Sequence, residues 1–147
     1  MGFRVAAAAL ALAWSAAFRA SGPHQALVSA SRSVWEGVYT EEQSKRGAGI
    51  YARACARCHG DALEGGGEDA PALVGPAFLA NWNGVNLGDM LERMKKTMPD
   101  GAPNTLKRAE YVDVLAYMLN ANRFPAGKVE MEPEPERLKQ IVFDAMK

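Results

Sequence analysis

The stretch that decides the fold is Cys55-Ala56-Arg57-Cys58-His59, which has the pattern C-x-x-C-H. This spacing is typical of a site at which haem is attached to a protein through two cysteines. Each thiol would add to one vinyl group of the porphyrin, and the adjacent histidine would bind the iron as an axial ligand. We therefore expect one covalently attached haem c, held by Cys55, Cys58 and His59.

Three other interpretations of the motif are open. A dithiol redox centre also uses C-x-x-C, but ordinarily on a βαβ scaffold that this sequence does not indicate. A zinc site needs about four ligands, whereas the chain has two cysteines and two histidines, one of them the distant His24. A structural disulfide between Cys55 and Cys58 is possible in an oxidising compartment, although it leaves His59 unexplained.

A methionine is the natural second axial ligand, because His24 is the only other histidine. Met98 is favoured among the seven methionines. Pro99 follows it, which biases Met98 away from helical geometry and places it in a stiff loop. Met94 is the main rival, although its position on the apolar stripe of a predicted helix favours a packing role. The predicted iron ligands are therefore His59 and Met98.

The pattern of apolar residues and breakers predicts an all-α fold with three to four helices. Thr40 with Gln43 three residues later forms a capping-box pattern at the start of the first helix. No alternation of apolar and polar residues indicates a strand. The predicted elements are a helix from Thr40 to about Cys55, loop over 60–86, a short helix over Gly88–Lys96 and a long helix over Leu106–Ala121.

The two ends of the chain differ from its middle in composition. Arg4 precedes a short apolar run that is followed by small residues, as in a secretory signal peptide. The run is shorter than the roughly 20 residues that span a bilayer, so a retained anchor is the less favoured alternative. We divide the chain into a signal peptide (1–20), an N-terminal arm (21–39), a helical domain (40–127) and a Glu/Pro-rich linker with a short helix over 138–146 (128–147). Export to the periplasm is expected.

The charge of the chain gives no reason to expect nucleic acid as a partner, since the formal net charge is zero. The charges are nevertheless distributed unevenly. Arg93, Lys95 and Lys96 cluster just ahead of Met98. We expect this cluster to help steer an acidic redox partner.

The motif and its surroundings resemble the class I cytochromes c, over about Thr40 to Gly127. Gly47 and Tyr51 precede the motif, as a glycine and an aromatic residue do on the first helix of that family. Val114 and Tyr117 match the apolar pair on the family's last helix. The resemblance implies a cytochrome c fold wrapped around one covalent haem. It also implies that the first and last helices cross closely, with Gly47 allowing the two backbones to approach.

The resemblance extends to individual site residues. Pro71-Ala72-Leu73 is similar to the stretch whose proline carbonyl accepts a hydrogen bond from the haem-binding histidine, which here would join Pro71 to His59. Trp82 would help to enclose a haem propionate. Thr97-Met98-Pro99 is similar to the methionine loop of the family. The cofactor-binding residues implied in this way are Pro71 and Trp82, besides those of the motif and Met98.

Within that family, the run Phe124-Pro125-Ala126-Gly127 is similar to bacterial cytochromes c associated with quinoprotein dehydrogenases. This implies a monomeric one-electron carrier between a periplasmic dehydrogenase and an oxidase or another cytochrome. We expect no catalytic residues and no small-molecule substrate. The alternatives are a gas-binding or sensor protein with a labile Met98, and a dedicated electron-transfer subunit of a dehydrogenase complex.

Overall fold

The computed structural model describes residues 1–2, 31–67 and 70–147 of the chain. Most of the predicted signal peptide, the first part of the predicted arm and His24 therefore lie outside the described residues. Within the described ranges, no helix is both long enough and apolar enough to cross a membrane.

The described residues form a helical fold with one very small sheet, which confirms the predicted all-α class. A 3₁₀ turn (Val34–Glu36) precedes the helices, and the two-residue strands β1 (Arg32–Ser33) and β2 (Ile141–Val142) pair in parallel. The helices are α1 (Glu41–Ala54), α2 (Ala56–His59), α3 (Gly75–Trp82), α4 (Leu87–Thr97), α5 (Arg108–Ala121) and α6 (Pro135–Leu138).

Helices α1 and α5 cross in close contact at Gly47. A Cβ atom at this position would overlap the carbonyl group of Asp113 and lie 3.0 Å from Cβ of Tyr117. Only glycine fits here, because any side chain would push the two backbones apart. The crossing confirms the expected role of Gly47 and fixes the end of α1 relative to α5.

The start of α1 is set by Thr40, as the sequence predicts. Its hydroxyl oxygen accepts a hydrogen bond from the N–H of Gln43 at 3.1 Å, which satisfies one of the free donors of the first turn. The Gln43 amide does not complete the capping box. It donates to the carbonyl of Met131 and accepts from the N–H of the same residue, both at 2.9 Å. Gln43 therefore fastens the C-terminal segment to α1.

Helix α3 corrects the predicted loop over residues 60–86. Pro76 lies in the first turn of α3, where its missing N–H costs nothing and its fixed φ suits a helix. Asn122 holds the start of this helix: its Oδ1 accepts from Gly75 N–H at 3.1 Å and its Nδ2 donates to the Leu73 carbonyl at 2.9 Å. A proline that the sequence analysis interprets as a breaker is thus a helix start.

Helices α4 and α5 form where they are predicted, with boundaries shifted by one or two residues. Asn86 caps α4, its side-chain oxygen accepting from the N–H of Asp89 at 2.8 Å. Helix α5 begins at Arg108 because Lys107 takes the cap position, and its N–H donates to the Glu110 carboxylate at 2.9 Å. The Glu110 side chain therefore supplies the acceptor at the start of α5.

The segments before and after residues 40–127 pack into the same core as the helices. Phe143 is fully buried, and its backbone pairs with the loop ahead of α4. Gly84 N–H donates to the Phe143 carbonyl, and Phe143 N–H donates to the Val85 carbonyl, each at 2.8 Å. From the N-terminal side, the Trp35 indole donates to the Asp144 carbonyl at 3.0 Å.

The predicted helix over 138–146 is wrong. Helix α6 ends at Leu138, and β2 follows it. The reason is that this segment pairs with β1, more than a hundred residues away in sequence, and packs against α4. The local pattern of apolar residues does not reveal so distant a partner.

Candidate functional site

The C-x-x-C-H residues lie at the junction of α1 and α2. Cys55 ends α1 with non-helical backbone angles (φ −128°, ψ −37°), and α2 then makes one turn that ends at His59. The His59 N–H donates to the Cys55 carbonyl at 3.0 Å. This bond links the backbones of Cys55 and His59 across one turn.

The two cysteines are free thiols in different surroundings. Cys55 is partly buried and Cys58 is exposed. Burial raises the pKa of the Cys55 thiol, and the nearby Cys58 adds to that effect. Two free thiols within one helical turn suit a group that forms two thioether bonds.

The His59 ring is buried, with 6% of its surface exposed. Its Nδ1 lies 2.8 Å from the Pro71 carbonyl oxygen, so the hydrogen bond implied by the resemblance is present. Because a carbonyl oxygen only accepts, Nδ1 carries the proton of this bond, and Nε2 is the ring nitrogen left to bind a metal. A histidine fixed in this tautomer is oriented as a metal ligand requires.

Gly65 brings Pro71 back to His59, a role that the sequence analysis missed. Its N–H donates to the His59 carbonyl at 2.8 Å, and its φ of +84° favours glycine. A Cβ atom on Gly65 would lie 2.7 Å from the backbone nitrogen of Ala72. The sequence predicts only a loop around Gly65. Gly65 nevertheless closes the turn that brings Pro71 to His59.

Met98 follows α4 in an extended conformation (φ −128°, ψ 152°), as expected for a residue ahead of a proline. Its backbone is held at both ends. The Met98 N–H donates to the Met94 carbonyl at 2.8 Å, and the Tyr111 hydroxyl donates to the Met98 carbonyl at 2.8 Å. Met94 packs against the hydrophobic core, and Met90 is buried within it, so both have packing roles.

Trp82 lies at the C-terminal end of α3 and is half-buried. Its ring is 6.4 Å from that of Phe78, and the Arg93 guanidinium lies 5.8 Å from the Trp82 ring centroid, within reach of a cation–π interaction. Trp82 therefore packs at the edge of the core. The role of Trp82 at a haem propionate stays a prediction.

The exposed cations at the end of α4 lie directly ahead of Met98. Arg93 and Lys96 are exposed, whereas Lys95 lies 3.8 Å from Glu92. Glu92 also pairs with Arg108, and this hydrogen bond lowers the pKa of the Glu92 carboxyl. Part of the predicted positive cluster is therefore neutralised within the protein.

The donor set fits an iron porphyrin. Two free thiols, the Nε2 of His59 and the thioether of Met98 are the groups that such a cofactor uses. Half-buried apolar side chains from α3, α4 and the adjoining loops pack on the core: Leu73, Val74, Leu79, Met94 and Leu106. Within the described residues, no cluster of three or more His, Cys, Asp or Glu could hold a bare metal ion.

The chain was compared with protein families, curated proteins and solved structures. A family model described as cytochrome c oxidase, cbb3-type, subunit III matches residues 42–118, a range that includes the C-x-x-C-H motif and Met98. Among solved structures, the chain is similar to the sulfane dehydrogenase SoxCD from Paracoccus pantotrophus, with 20% identity and a TM-score of 0.47. That match covers 74% of this chain and 61% of the other, so this chain spans less than two thirds of its relative. A search of curated proteins finds no match.

Proposed function

We propose that this chain, which belongs to the family of cytochromes c described as cytochrome c oxidase, cbb3-type, subunit III, is an exported one-electron carrier with a single, covalently attached haem. Family membership makes it a haem-binding electron-transfer protein. The covalent attachment, the single haem, the compartment and the partners are our proposals.

The observation that carries the proposal is the hydrogen bond between His59 and Pro71. The bond holds the proton on Nδ1 and so leaves Nε2 as a ligand for iron. Cys55 and Cys58 lie within the same turn and would attach the porphyrin through thioether bonds. A turn that only supported the fold would not need two free thiols beside a histidine in this tautomer, whereas a haem-attachment site needs all three.

Met98 completes the proposed ligand set. Its extended backbone and its tie to Tyr111 keep it on the loop after α4 rather than in the packed stripe of that helix. A thioether is a weak, neutral donor that favours Fe(II), so Met98 would raise the reduction potential. When bound, the haem supplies a one-electron change between Fe(II) and Fe(III).

If His59 and Met98 both bound the iron, no ligand position would remain for a substrate. We therefore propose that the chain carries electrons and catalyses no reaction of its own. Electron-transfer encounters between proteins bury little surface, so the chain is expected to bind its partners weakly and release them quickly. A monomer that meets a dehydrogenase donor and an oxidase or cytochrome acceptor in turn fits this behaviour.

The proposed compartment is the periplasm, on the basis of the signal-like residues 1–20. The exposed Arg93 and Lys96 would steer an acidic partner toward the loop that contains Met98. If they do so, the rate of electron transfer to that partner falls as ionic strength rises.

The proposal is tested by intact mass and potentiometry on protein produced with haem-attachment machinery. The expected mass is that of the chain without its signal peptide plus one haem, and the titration should follow a single reversible one-electron curve. A double variant, Cys55→Ser with Cys58→Ser, is the control and should lose the covalent haem mass. A wild-type chain with no attached haem, or with several, would contradict the proposal.

A further inference from the structure

We propose that Tyr111 is a positioning residue that keeps Met98 bound to the haem iron; this inference rests on the proposed function. The Tyr111 hydroxyl donates a hydrogen bond of 2.8 Å to the Met98 carbonyl. Tyr111 lies near the start of α5 with only 1% of its surface exposed. A ring buried to this extent cannot reorient freely. The Tyr111 hydroxyl is therefore fixed in place, and its hydrogen bond restrains the loop that contains Met98.

The other contacts of the loop after Met98 are short in range. Asn104 N–H donates to the Met98 carbonyl at 3.3 Å, Ala102 N–H donates to the Pro99 carbonyl at 3.0 Å, and the Thr105 hydroxyl donates to the Ala102 carbonyl at 2.8 Å. The side chains from residue 100 to residue 105 are all exposed. A loop with so little burial opens at low cost, so one bond to a buried side chain matters more here than in the core.

Tyr111 also ties Met98 to the part of the fold that places His59. Two residues after Tyr111, Asp113 meets Gly47 where α5 crosses α1. Helix α1 then leads directly into the turn that carries His59. The Tyr111 hydroxyl therefore holds Met98 against α5, and the contact of α5 with α1 places His59. Both proposed ligands are positioned by the same pair of helices.

The competing explanation is that the bond only satisfies a buried hydroxyl, as buried tyrosines generally do. Tyr39 provides the matched case within this chain. It is fully buried, and its hydroxyl donates to the Phe124 carbonyl at 2.7 Å and accepts from the Asn120 amide at 3.3 Å, in a region that contains no proposed ligand. Removing either hydroxyl should lower stability, but only the Tyr111 hydroxyl should affect the Met98–iron bond.

The test compares the wild-type holoprotein with Tyr111→Phe and Tyr39→Phe, each a change that keeps the ring. Imidazole is titrated into the oxidised protein and replaces Met98, and the loss of the far-red absorption band reports the replacement. Because imidazole binds only where Met98 is displaced, its apparent dissociation constant falls as the displaced fraction rises. Loss of one hydrogen bond should lower that constant about threefold to tenfold in Tyr111→Phe.

Urea unfolding of the same three proteins separates positioning from general stability. The inference expects both variants to lose stability, while Tyr39→Phe binds imidazole like the wild type. An unchanged imidazole constant in Tyr111→Phe, or an equal change in both variants, would overturn the inference. A wild-type protein with no far-red band would instead overturn the proposed ligation by Met98, and with it the basis of this inference.

Discussion

Gly47 on α1 and Asp113 on α5 meet backbone to backbone, with no room for a side chain between them. Helix α1 ends in the C-x-x-C-H turn, and α5 carries Tyr111, which holds the Met98 carbonyl. One contact between two helices therefore sets the relative placement of segments that are far apart in sequence. The proposed haem site depends on that placement.

Replacing Gly47 by alanine should destabilise the protein strongly. The added methyl group meets backbone rather than a movable side chain, so the helices must separate, at a cost of at least about 2 kcal/mol. Gly49→Ala, on the same helix, is the control, because a Cβ atom there has nothing within 4 Å. That change should stabilise the helix by roughly 0.5–1 kcal/mol. Urea unfolding measures both, and similar effects of the two changes would show that the crossing is not tight.

Gln43→Ala should release the C-terminal segment from α1. The change removes both hydrogen bonds to Met131 and leaves a buried N–H and carbonyl without partners, which costs about 2–4 kcal/mol. Gln140→Ala, in a half-exposed position, should change stability by about 0.5 kcal/mol or less. Proteolysis at low protease concentration, followed by mass analysis, should show earlier cleavage after residue 127 in Gln43→Ala alone. An uncleaved tail in that variant would count against the role of Gln43.

Arg46 links two carboxylates, Asp113 on α5 and Glu130 in the C-terminal segment, at 3.0 and 2.8 Å. Its hydrogen bond lowers the pKa of Glu130. The unfolded chain therefore binds more protons in acid than the folded chain does. Above pH 4.5, the ordinary pKa of a glutamate, the pair of Arg46 and Glu130 contributes its full stability. That contribution is lost as the pH falls through the lower pKa that Glu130 has in the folded protein.

Glu130→Gln should make stability less dependent on pH in that acid range. The Glu130 side chain is 50% exposed, so solvent screening limits the effect to about 0.2–1 kcal/mol. Glu134→Gln, an exposed position in the same segment, should leave the curve unchanged. The measurement is the free energy of unfolding from pH 6 downward, and identical curves for wild type and Glu130→Gln would rule out the contribution.

Met98→Ala and Met94→Ala distinguish the two candidate ligands. Loss of Met98 should open a coordination position, abolish the far-red band, allow carbon monoxide to bind the reduced protein and lower the reduction potential. Loss of Met94 should remove packing and cost about 2–4 kcal/mol of stability, with the spectrum retained. The opposite pattern would assign the ligand to Met94.

The sequence was sufficient for the features that depend on local chemistry. The Thr40 cap, the helix that leads into the motif and the extended backbone of Met98 are all present. Each follows from the preference of a single residue for a particular conformation or from a short spacing. Such signals are visible in one sequence without knowledge of the rest of the fold.

The features that the sequence did not reveal depend on distant partners. Helix α3 begins at Gly75, just ahead of Pro76, because Asn122, far along the chain, binds the residues at its start. The strand after Leu138 forms only because β1 lies beside it. Tyr111 fits the apolar stripe of α5, and nothing in that periodicity indicates that its hydroxyl reaches Met98. Contacts of this kind are decided by tertiary packing rather than by local pattern.

The visible absorption spectrum shows whether this chain holds a haem between His59 and Met98, as an electron carrier of this kind requires. The mature holoprotein is recorded oxidised, then reduced, then reduced with carbon monoxide. A haem held between His59 and Met98 should give a weak far-red band in the oxidised protein and no spectral change when carbon monoxide is added. Absence of the far-red band together with ready binding of carbon monoxide would contradict this ligation and would favour a gas-binding or sensor protein.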